Sequence, residues 1–172
     1  IAALLDQLSL ARVDLVGSSM GGRIAWRFAA ERPERVRRLV LMAPDGFASA
    51  GFVYDRPAKV PLMMRALPYT LPAPLLRAGL EPAYGDKAAL TPAVLAVYRD
   101  MVPPEPFLRR ITAPVLLLWG AQDRMVPAPH AADYAAVLQD SRTVVLDGLG
   151  HVPMEEDPAR ALVPLREFLS AP

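Results

Sequence analysis

The residue best placed to do chemistry in this 172-residue chain is Ser19, in the run Gly17-Ser18-Ser19-Met20-Gly21-Gly22. The run follows an apolar stretch that predicts a strand, and it opens a stretch with helical periodicity. A residue at such a sharp strand-to-helix turn adopts strained backbone angles, so small residues are needed two positions before and after it, here Gly17 and Gly21. The pattern favours Ser19 as a nucleophile, with the Met20 N–H at the start of the helix as an oxyanion donor.

The same run has a second interpretation, as a Gly/Ser turn in a nucleotide-binding or purely structural unit. Neither phosphate-binding pattern fits it, because no Gly-Lys-Ser/Thr follows and the glycines are not spaced as in a dinucleotide fingerprint. On this motif alone, the structural turn stays open as the alternative.

A serine nucleophile needs a general base, and the chain has only two histidines. His151 lies in the loop Gly148-Leu149-Gly150-His151-Val152-Pro153, directly after an apolar run that predicts a strand. His130 lies in a predicted helix whose surroundings place it at the surface, where we expect a solvated or capping role. His151 is therefore the candidate base, and a loop histidine without a catalytic role is its alternative.

Two aspartates follow predicted strands and could orient the histidine. Asp123 follows Val115–Trp119, and Asp45 follows Val36–Ala43. In open α/β sheets, catalytic groups gather on loops at the carboxyl ends of the strands, and both residues meet that condition. We favour Asp123 as the orienting acid and keep Asp45 as the alternative.

The remaining acids near His151 have simpler interpretations. Asp147 is close to His151 in sequence and is expected only to end its strand. The run Glu155-Glu156-Asp157 is expected to be a solvated N-cap of the last helix. Neither is a candidate for the orienting acid.

Alternating strands and helices must position these residues. Apolar periodicity predicts helices at Ile1–Leu8, Gly21–Ala30, His130–Leu138 and Pro158–Leu169, and strands at Val13–Val16, Val36–Ala43, Val115–Trp119 and Thr143–Leu146. Strands that alternate with helices and are apolar on both faces predict an α/β fold with a parallel sheet flanked by helices.

The stretch 47–111 has a different character. It shows no strand alternation, and prolines break it into short pieces. Short helices are predicted at Leu62–Leu67, Leu75–Leu80 and Ala93–Met101. Its Leu and Met content favours an inserted helical cap over a linker, which divides the chain into core segments 1–46 and 112–172 around that cap.

The composition excludes several classes of function. The chain has 19 Lys and Arg against 18 Asp and Glu, so it has no basic footprint for nucleic acid or an anionic membrane. With 53% hydrophobic and 22% charged residues, a globular core is expected. The lack of Cys rules out thiol chemistry, and the few histidines leave little for a metal site, so no metal and no cofactor is expected. No membrane-spanning run or secretory signal is found, which indicates a cytoplasmic protein.

Three motifs together resemble the nucleophile, acid and histidine motifs of the α/β-hydrolase superfamily, in the same order along the chain. They are Gly17-Ser18-Ser19-Met20-Gly21-Gly22, Trp119-Gly120-Ala121-Gln122-Asp123-Arg124-Met125-Val126-Pro127 and Gly150-His151-Val152-Pro153-Met154-Glu155. The resemblance implies a Ser19–His151–Asp123 triad, a helical cap, and a small-molecule carbonyl substrate whose ester, thioester, amide or activated carbon–carbon bond is cleaved. Ser18, Val126 and Val152, beside the motif residues, are candidate substrate contacts.

The residues around the nucleophile also narrow the branch of that family. Ser19 in place of an aspartate argues against the haloalkane dehalogenase and epoxide hydrolase branches. Ser18, where many members carry His, resembles some hydrolases of carbon–carbon bonds in aromatic ring-fission products. The family's earlier strands and their His-Gly oxyanion motif have no match before Ser19, so we expect a partial α/β-hydrolase fold that lacks its N-terminal portion.

The sequence thus predicts a serine hydrolase that works through an acyl-enzyme. One alternative is a carbon–carbon bond hydrolase of the ring-fission type. Another is a non-catalytic, truncated domain that binds a small ligand or a partner. The expected bare sheet edge at Val13–Val16 is open to pairing with a second chain, which predicts self-association.

Overall fold

The computed structural model describes residues 1–47, 72–80, 88, 91–92 and 104–171. The chain divides into two compact units, one formed by 1–47 together with 105–172 and the other by 48–104. The second unit falls within the stretch for which we expect a helical cap, and its role as a cap stays a prediction. The candidate residues Ser19, Asp123 and His151 all belong to the first unit.

The described elements follow one another in the alternating order that the sequence predicts. They are α1 (Ala2–Gln7), β1 (Val13–Ser18), α2 (Met20–Glu31), β2 (Val36–Met42), α3 (Ala73–Leu80), α4 (Glu105–Leu108), β3 (Val115–Gly120), α5 (His130–Ala135), β4 (Ser141–Leu146), α6 (Pro153–Glu156) and α7 (Pro158–Ser170), with a short 3₁₀ turn at Pro33–Arg35. None of the described helices is long and apolar enough to cross a membrane.

Only α3 represents the helices predicted within the second unit. It contains the predicted helix Leu75–Leu80 and begins two residues earlier, at Ala73. The predicted helices Leu62–Leu67 and Ala93–Met101 lie outside the described residues.

The four strands of the described sheet lie in the order β1-β2-β3-β4, and every neighbouring pair is parallel. The predicted α/β fold with a parallel sheet is therefore confirmed. The prediction that each strand is apolar on both faces is wrong for β4, where Arg142, Thr143 and Val145 are exposed. The physical reason is its place at an edge of the sheet, whereas every residue of the central strand β3 is buried.

The side chains of the two central strands alternate between the faces of the sheet, and helices cover both faces. The face that packs against α2 and α5 contains Leu39, Leu41, Val115, Leu117 and Trp119. The opposite face, which packs against α7, contains Val40, Met42, Leu116 and Leu118. This arrangement fixes the positions of the strand ends in a close-packed core.

Parallel strands bring the loops that follow them to one edge of the sheet. Ser19 follows β1, Asp45 follows β2, Asp123 follows β3 and His151 follows β4. Residues that are far apart in sequence thus share the carboxyl edge of the sheet.

Candidate active site

Ser19 lies in the turn between β1 and α2, with a backbone φ of 51° and ψ of −121°. A residue other than glycine rarely adopts a positive φ, so the surrounding structure must hold this conformation in place. The Ser19 N–H donates to the Met42 carbonyl oxygen at 2.9 Å, and the Ser19 carbonyl accepts from Asp45 N–H at 3.0 Å. The strained serine is therefore tied to the end of β2.

The glycines around Ser19 are constrained differently from the prediction. A Cβ atom at Gly17 would lie 2.4 Å from the carbonyl oxygen of Gly21, and one at Gly22 would lie 2.7 Å from Pro44 Cβ. A Cβ atom at Gly21 would meet no atom of the described residues within 4 Å. The steric need for glycine thus falls on Gly17 and Gly22, and the prediction that Gly21 supplies the room is wrong, because no described neighbour crowds that position.

Met20 is the first residue of α2, and its side chain is well exposed. The first N–H groups of a helix have no intrahelical acceptor, so the Met20 N–H is available for an external oxygen. In the part of the chain that is described, Ser19 Oγ makes no hydrogen bond. Catalytic hydrogen bonds are often long or absent without substrate, so this geometry does not argue against a nucleophile.

Asp123 and His151 are brought into direct contact. His151 Nδ1 lies 2.8 Å from Asp123 Oδ2, and the Asp123 side chain has no exposed surface. Because a carboxylate only accepts, Nδ1 carries the proton in this pair, and the lone pair of neutral imidazole is then on Nε2. The pair has the arrangement of a base held by an acid.

Asp123 is itself held by the loop that carries it. Its Oδ1 accepts hydrogen bonds from the backbone N–H groups of Met125, at 2.8 Å, and Val126, at 2.9 Å. With Oδ2 committed to His151, both carboxylate oxygens have partners, which is what a buried charge requires. The carboxylate therefore has one well-defined orientation.

The loop after β3, which carries Asp123 (the acid loop), and the loop after β4, which carries His151 (the histidine loop), are also joined through their backbones. Gln122 N–H donates to the Leu149 carbonyl oxygen at 2.8 Å, and Ala121 N–H donates to that of Leu146 at 2.9 Å. A Cβ atom at Gly120 would lie 2.1 Å from the Gly150 carbonyl oxygen, so the two loops approach too closely for any side chain at that position. The His151 loop is thus held against the end of β3 by backbone contacts.

Asp45, the alternative acid, has other partners. Its Oδ2 accepts from Arg23 Nη1 at 3.3 Å, and its carbonyl oxygen accepts from Trp26 Nε1 at 3.0 Å. Both partners belong to α2. The contact with His151 is made by Asp123.

His130 is less exposed than the sequence suggests. Its side chain is only 12% exposed, and its Nδ1 lies 3.0 Å from Asp133 Oδ2. Its ring stacks against Phe47, with centroids 6.4 Å apart and an interplanar angle of 13°. The predicted surface position of His130 is wrong, because the chain preceding the second unit packs over it.

Two residues of the acidic run after His151 have different roles. Asp157 caps α7, as predicted for this run, and its Oδ1 accepts from Arg160 N–H at 3.1 Å. Glu156 is exposed, as predicted, but the N-cap of α7 is Asp157, and the Glu156 carboxylate instead accepts from Gly150 N–H at 2.8 Å and from Val152 N–H at 3.2 Å. The sequence signal for this role is an acid five residues after the histidine. That spacing alone does not predict which backbone N–H groups the carboxylate contacts, because the conformation of the loop decides this.

Asp147 ends β4, and its carboxylate accepts from Gln122 Nε2 at 3.2 Å. Among the candidate substrate contacts, Ser18 is the half-buried last residue of β1 and Val152 lies on the partly exposed histidine loop. Val126 accepts from Trp119 Nε1 at 2.8 Å through its carbonyl oxygen. Within the described ranges, no group of three or more His, Cys, Asp or Glu residues is arranged to hold a metal ion.

Comparisons with known proteins agree with this architecture. The 2-hydroxy-6-oxo-6-phenylhexa-2,4-dienoate hydrolase of Comamonas testosteroni is 29% identical over 177 residues, covering 88% of this chain and 60% of that enzyme. The 2-hydroxy-6-oxo-2,4-heptadienoate hydrolase of Pseudomonas putida is 29% identical over 188 residues, covering 99% of this chain and 68% of the enzyme. A solved structure of a membrane phospholipase A, described as a bacterial virulence factor, superimposes with a TM-score of 0.67 at 30% identity, covering 98% of this chain and 60% of that one.

Several of the curated relatives are considerably longer than this sequence, which spans 58–60% of their length. The sequence model of the Alpha/beta hydrolase family matches residues 1–165, which is nearly the whole of this chain. The matched region contains the strand-to-helix turn at Ser19, the Asp123–His151 contact and the parallel sheet. The chain belongs to the alpha/beta hydrolase family.

Proposed function

We propose that the protein is a serine hydrolase in which Ser19 is the nucleophile, His151 the general base and Asp123 the orienting acid. The observation that carries the proposal is the 2.8 Å contact between His151 Nδ1 and the buried Asp123 carboxylate, at the sheet edge that also carries Ser19. A serine hydroxyl is a weak nucleophile at neutral pH, and a neighbouring imidazole nitrogen with a free lone pair removes that limitation.

In the proposed reaction, Ser19 Oγ forms a bond to the substrate carbonyl carbon while His151 Nε2 takes the hydroxyl proton. The negative charge that develops on the carbonyl oxygen is stabilised by the Met20 N–H. The bond to the leaving group then breaks, and His151 gives its proton to that group. Water attacks the acyl-enzyme in the second half, with His151 again acting as base, and Ser19 is regenerated.

The bond that is cleaved has two candidates. An ester is the simplest substrate for this chemistry. The names of the two related hydrolases favour the second candidate, because their 2-hydroxy-6-oxo-dienoate substrates carry a ketone at carbon 6 and no ester. Hydrolysis beside that ketone must break a carbon–carbon bond, and the proton from His151 then goes to carbon.

The test uses the complete gene product, assayed with an activated aryl ester and with a 2-hydroxy-6-oxo-dienoate. A fluorophosphonate probe is expected to label Ser19, and Ser19→Ala is expected to lose most of the roughly 10⁶-fold contribution that such a catalytic unit makes. Ser170→Ala, in the exposed last turn of α7, is the matched control and should keep full activity. Turnover retained in Ser19→Ala, or labelling at Ser18 instead, contradicts the assignment.

The same assay separates the two bond types and the non-catalytic alternative. Faster turnover of the dienoate than of the ester identifies a carbon–carbon hydrolase, and the reverse order identifies an esterase. A folded wild-type protein that neither turns over a substrate nor reacts with the probe is a binding domain, and the proposal is then wrong.

A further inference from the structure

We propose that Glu156 is a positioning residue for His151, holding the histidine loop from the side opposite to the acid loop. Its two carboxylate oxygens accept hydrogen bonds from backbone N–H groups on either side of the histidine. Gly150 N–H lies 2.8 Å from Oε2, and Val152 N–H lies 3.2 Å from Oε1. The kinetic part of this inference rests on the proposed role of His151 as base.

The contacts differ from ordinary capping of a short helix. In a capping box, a Glu in the first turn returns to the N–H of the N-cap residue and no further. Val152 is the N-cap residue of α6, and Glu156 is the fourth residue of that helix, so its bond to Val152 N–H reaches the N-cap from one position beyond the usual Glu. The second bond is accepted from Gly150 N–H, which lies before the N-cap residue. The carboxylate therefore binds the backbone on both sides of His151.

The histidine loop consequently has two backbone anchors. On the N-terminal side of His151, the Leu149 carbonyl oxygen accepts from Gln122 N–H at 2.8 Å. Glu156 anchors both the residue before His151 and the residue after it. Without Glu156, the Gly150 and Val152 N–H groups lose the acceptor that holds them on either side of His151.

The exposure of these bonds indicates what they contribute. Glu156 is exposed, so water can replace its carboxylate as the acceptor for both N–H groups. A hydrogen bond that exchanges with water contributes little net stability. Water does not, however, hold two N–H groups at a fixed separation, so the loss of Glu156 should disturb the geometry of His151 more than the stability of the fold.

The adjacent acids provide matched controls. Glu155 is exposed and carries the same charge, and its side chain makes no hydrogen bond or ion pair in the described part of the chain. Asp157 caps α7, so its loss weakens a helix without touching the histidine loop. We would compare Glu156→Gln, Glu156→Ala, Glu155→Gln and Asp157→Ala in the complete gene product, because alanine removes the cap whereas asparagine would keep it.

Two measurements report on the loop without any turnover. The amide exchange rates of Gly150 and Val152 should rise in both Glu156 variants and stay unchanged in Glu155→Gln. The downfield proton resonance of the His151 Nδ1–H, which depends on its bond to Asp123, should broaden in the Glu156 variants only. Glu156→Gln has nearly the same shape as the native residue and keeps one acceptor oxygen, so it serves if Glu156→Ala does not fold.

The third measurement is steady-state kinetics. A misplacement of about 1 Å can cost about 10²-fold in rate, so kcat in Glu156→Ala should fall by about that factor with KM unchanged, and Glu156→Gln should show a smaller loss. The inference is overturned if Glu156→Gln and Glu156→Ala match Glu155→Gln in kcat and in amide exchange. It is also overturned if Asp157→Ala lowers kcat equally, since the effect is then one of stability.

The outcome is separable from that of the proposed function. If Ser19→Ala keeps full activity, the proposed function fails, while the exchange and resonance measurements still decide whether Glu156 holds the loop. If Ser19→Ala is inactive but Glu156 variants are unaffected in all three measurements, only the positioning inference fails.

Discussion

The contact between His151 Nδ1 and Asp123 Oδ2 joins residues 28 positions apart, on the loops that follow the neighbouring strands β3 and β4. The pairing of these strands runs from Val115 beside Ser141 to Gly120 beside Leu146. The loops that carry Asp123 and His151 leave the sheet at this shared end. The register of the two strands therefore brings the loops together. Ser19 reaches the same edge from β1, with β2 between it and the acid.

Asp123→Asn should lower kcat far more than Asp45→Asn. An amide in place of the acid leaves the imidazole in the wrong tautomer, and in a serine protease triad this change costs about 10⁴-fold in kcat. Asp45 contacts Arg23 instead, so Asp45→Asn should have a small effect. Steady-state kinetics of the two variants decide the matter, and a larger loss in Asp45→Asn would move the acid to the loop after β2.

The three glycines on either side of Ser19 should respond differently to alanine. Gly22→Ala must displace Pro44 and Gly17→Ala must displace the Gly21 backbone, so each should lower the free energy of unfolding by about 1–3 kcal/mol. Gly21→Ala places its methyl group against none of the described residues and should stabilise α2 by up to about 1 kcal/mol, because alanine favours helix over glycine. Urea unfolding measures all three, and equal losses at the three positions would contradict this geometry.

Gly120→Ala should separate the acid and histidine loops. Its methyl group would lie 2.1 Å from the Gly150 carbonyl oxygen, a distance that no backbone contact tolerates. We expect a loss of unfolding free energy of about 1–3 kcal/mol from overpacking, together with a fall in kcat. Gly148→Ala is the comparison, because its φ of 78° is strained for alanine but no atom of the described residues lies within 4 Å of the added Cβ. A Gly120→Ala variant with native stability and kcat would show that the close approach is unimportant.

The Asp14–Arg37 pair at the sheet edge should make stability depend on acid pH. The hydrogen bond from Arg37 holds the pKa of the Asp14 carboxyl below its ordinary value of 3.8. A carboxyl whose pKa is lowered in the folded state contributes stability above its unfolded pKa and loses it as the pH falls through the folded pKa. Asp14→Asn removes this contribution, so its Tm should fall less than that of the wild type between pH 5 and pH 2, the range in which an aspartate of this kind titrates. Parallel Tm curves for the two proteins would contradict the assignment.

The central strands and the contact between Asp123 and His151 were predictable because their signals are local. β3 is a continuous apolar run, β2 is apolar without interruption from Leu39 to Met42, and each strand ends within one residue of the predicted position. β4 begins at Ser141, two residues before the predicted start, because an edge strand includes exposed polar residues that interrupt the apolar pattern.

The contacts that the sequence did not predict depend on where separate loops meet. Gly22 needs its small size only because Pro44 packs against it, and Glu156 has its role only because the Gly150 and Val152 N–H groups point to one side. His130 is covered by Phe47, a residue more than eighty positions away. No local pattern of hydrophobicity or spacing encodes such encounters.

The first unit is assembled from two stretches of chain, 1–47 and 105–172, which the sheet joins between β2 and β3. Leu39, Val40, Leu41 and Met42 pair with Val115, Leu116, Leu117 and Leu118, and all eight side chains are buried. A peptide bond cut anywhere in 48–104 therefore leaves Ser19 on one polypeptide and Asp123 with His151 on another, held together by this pairing and its shared core. We expect the nicked protein to copurify as a complex and to separate only in denaturant, which makes the molecule a natural candidate for reconstitution from two complementary fragments.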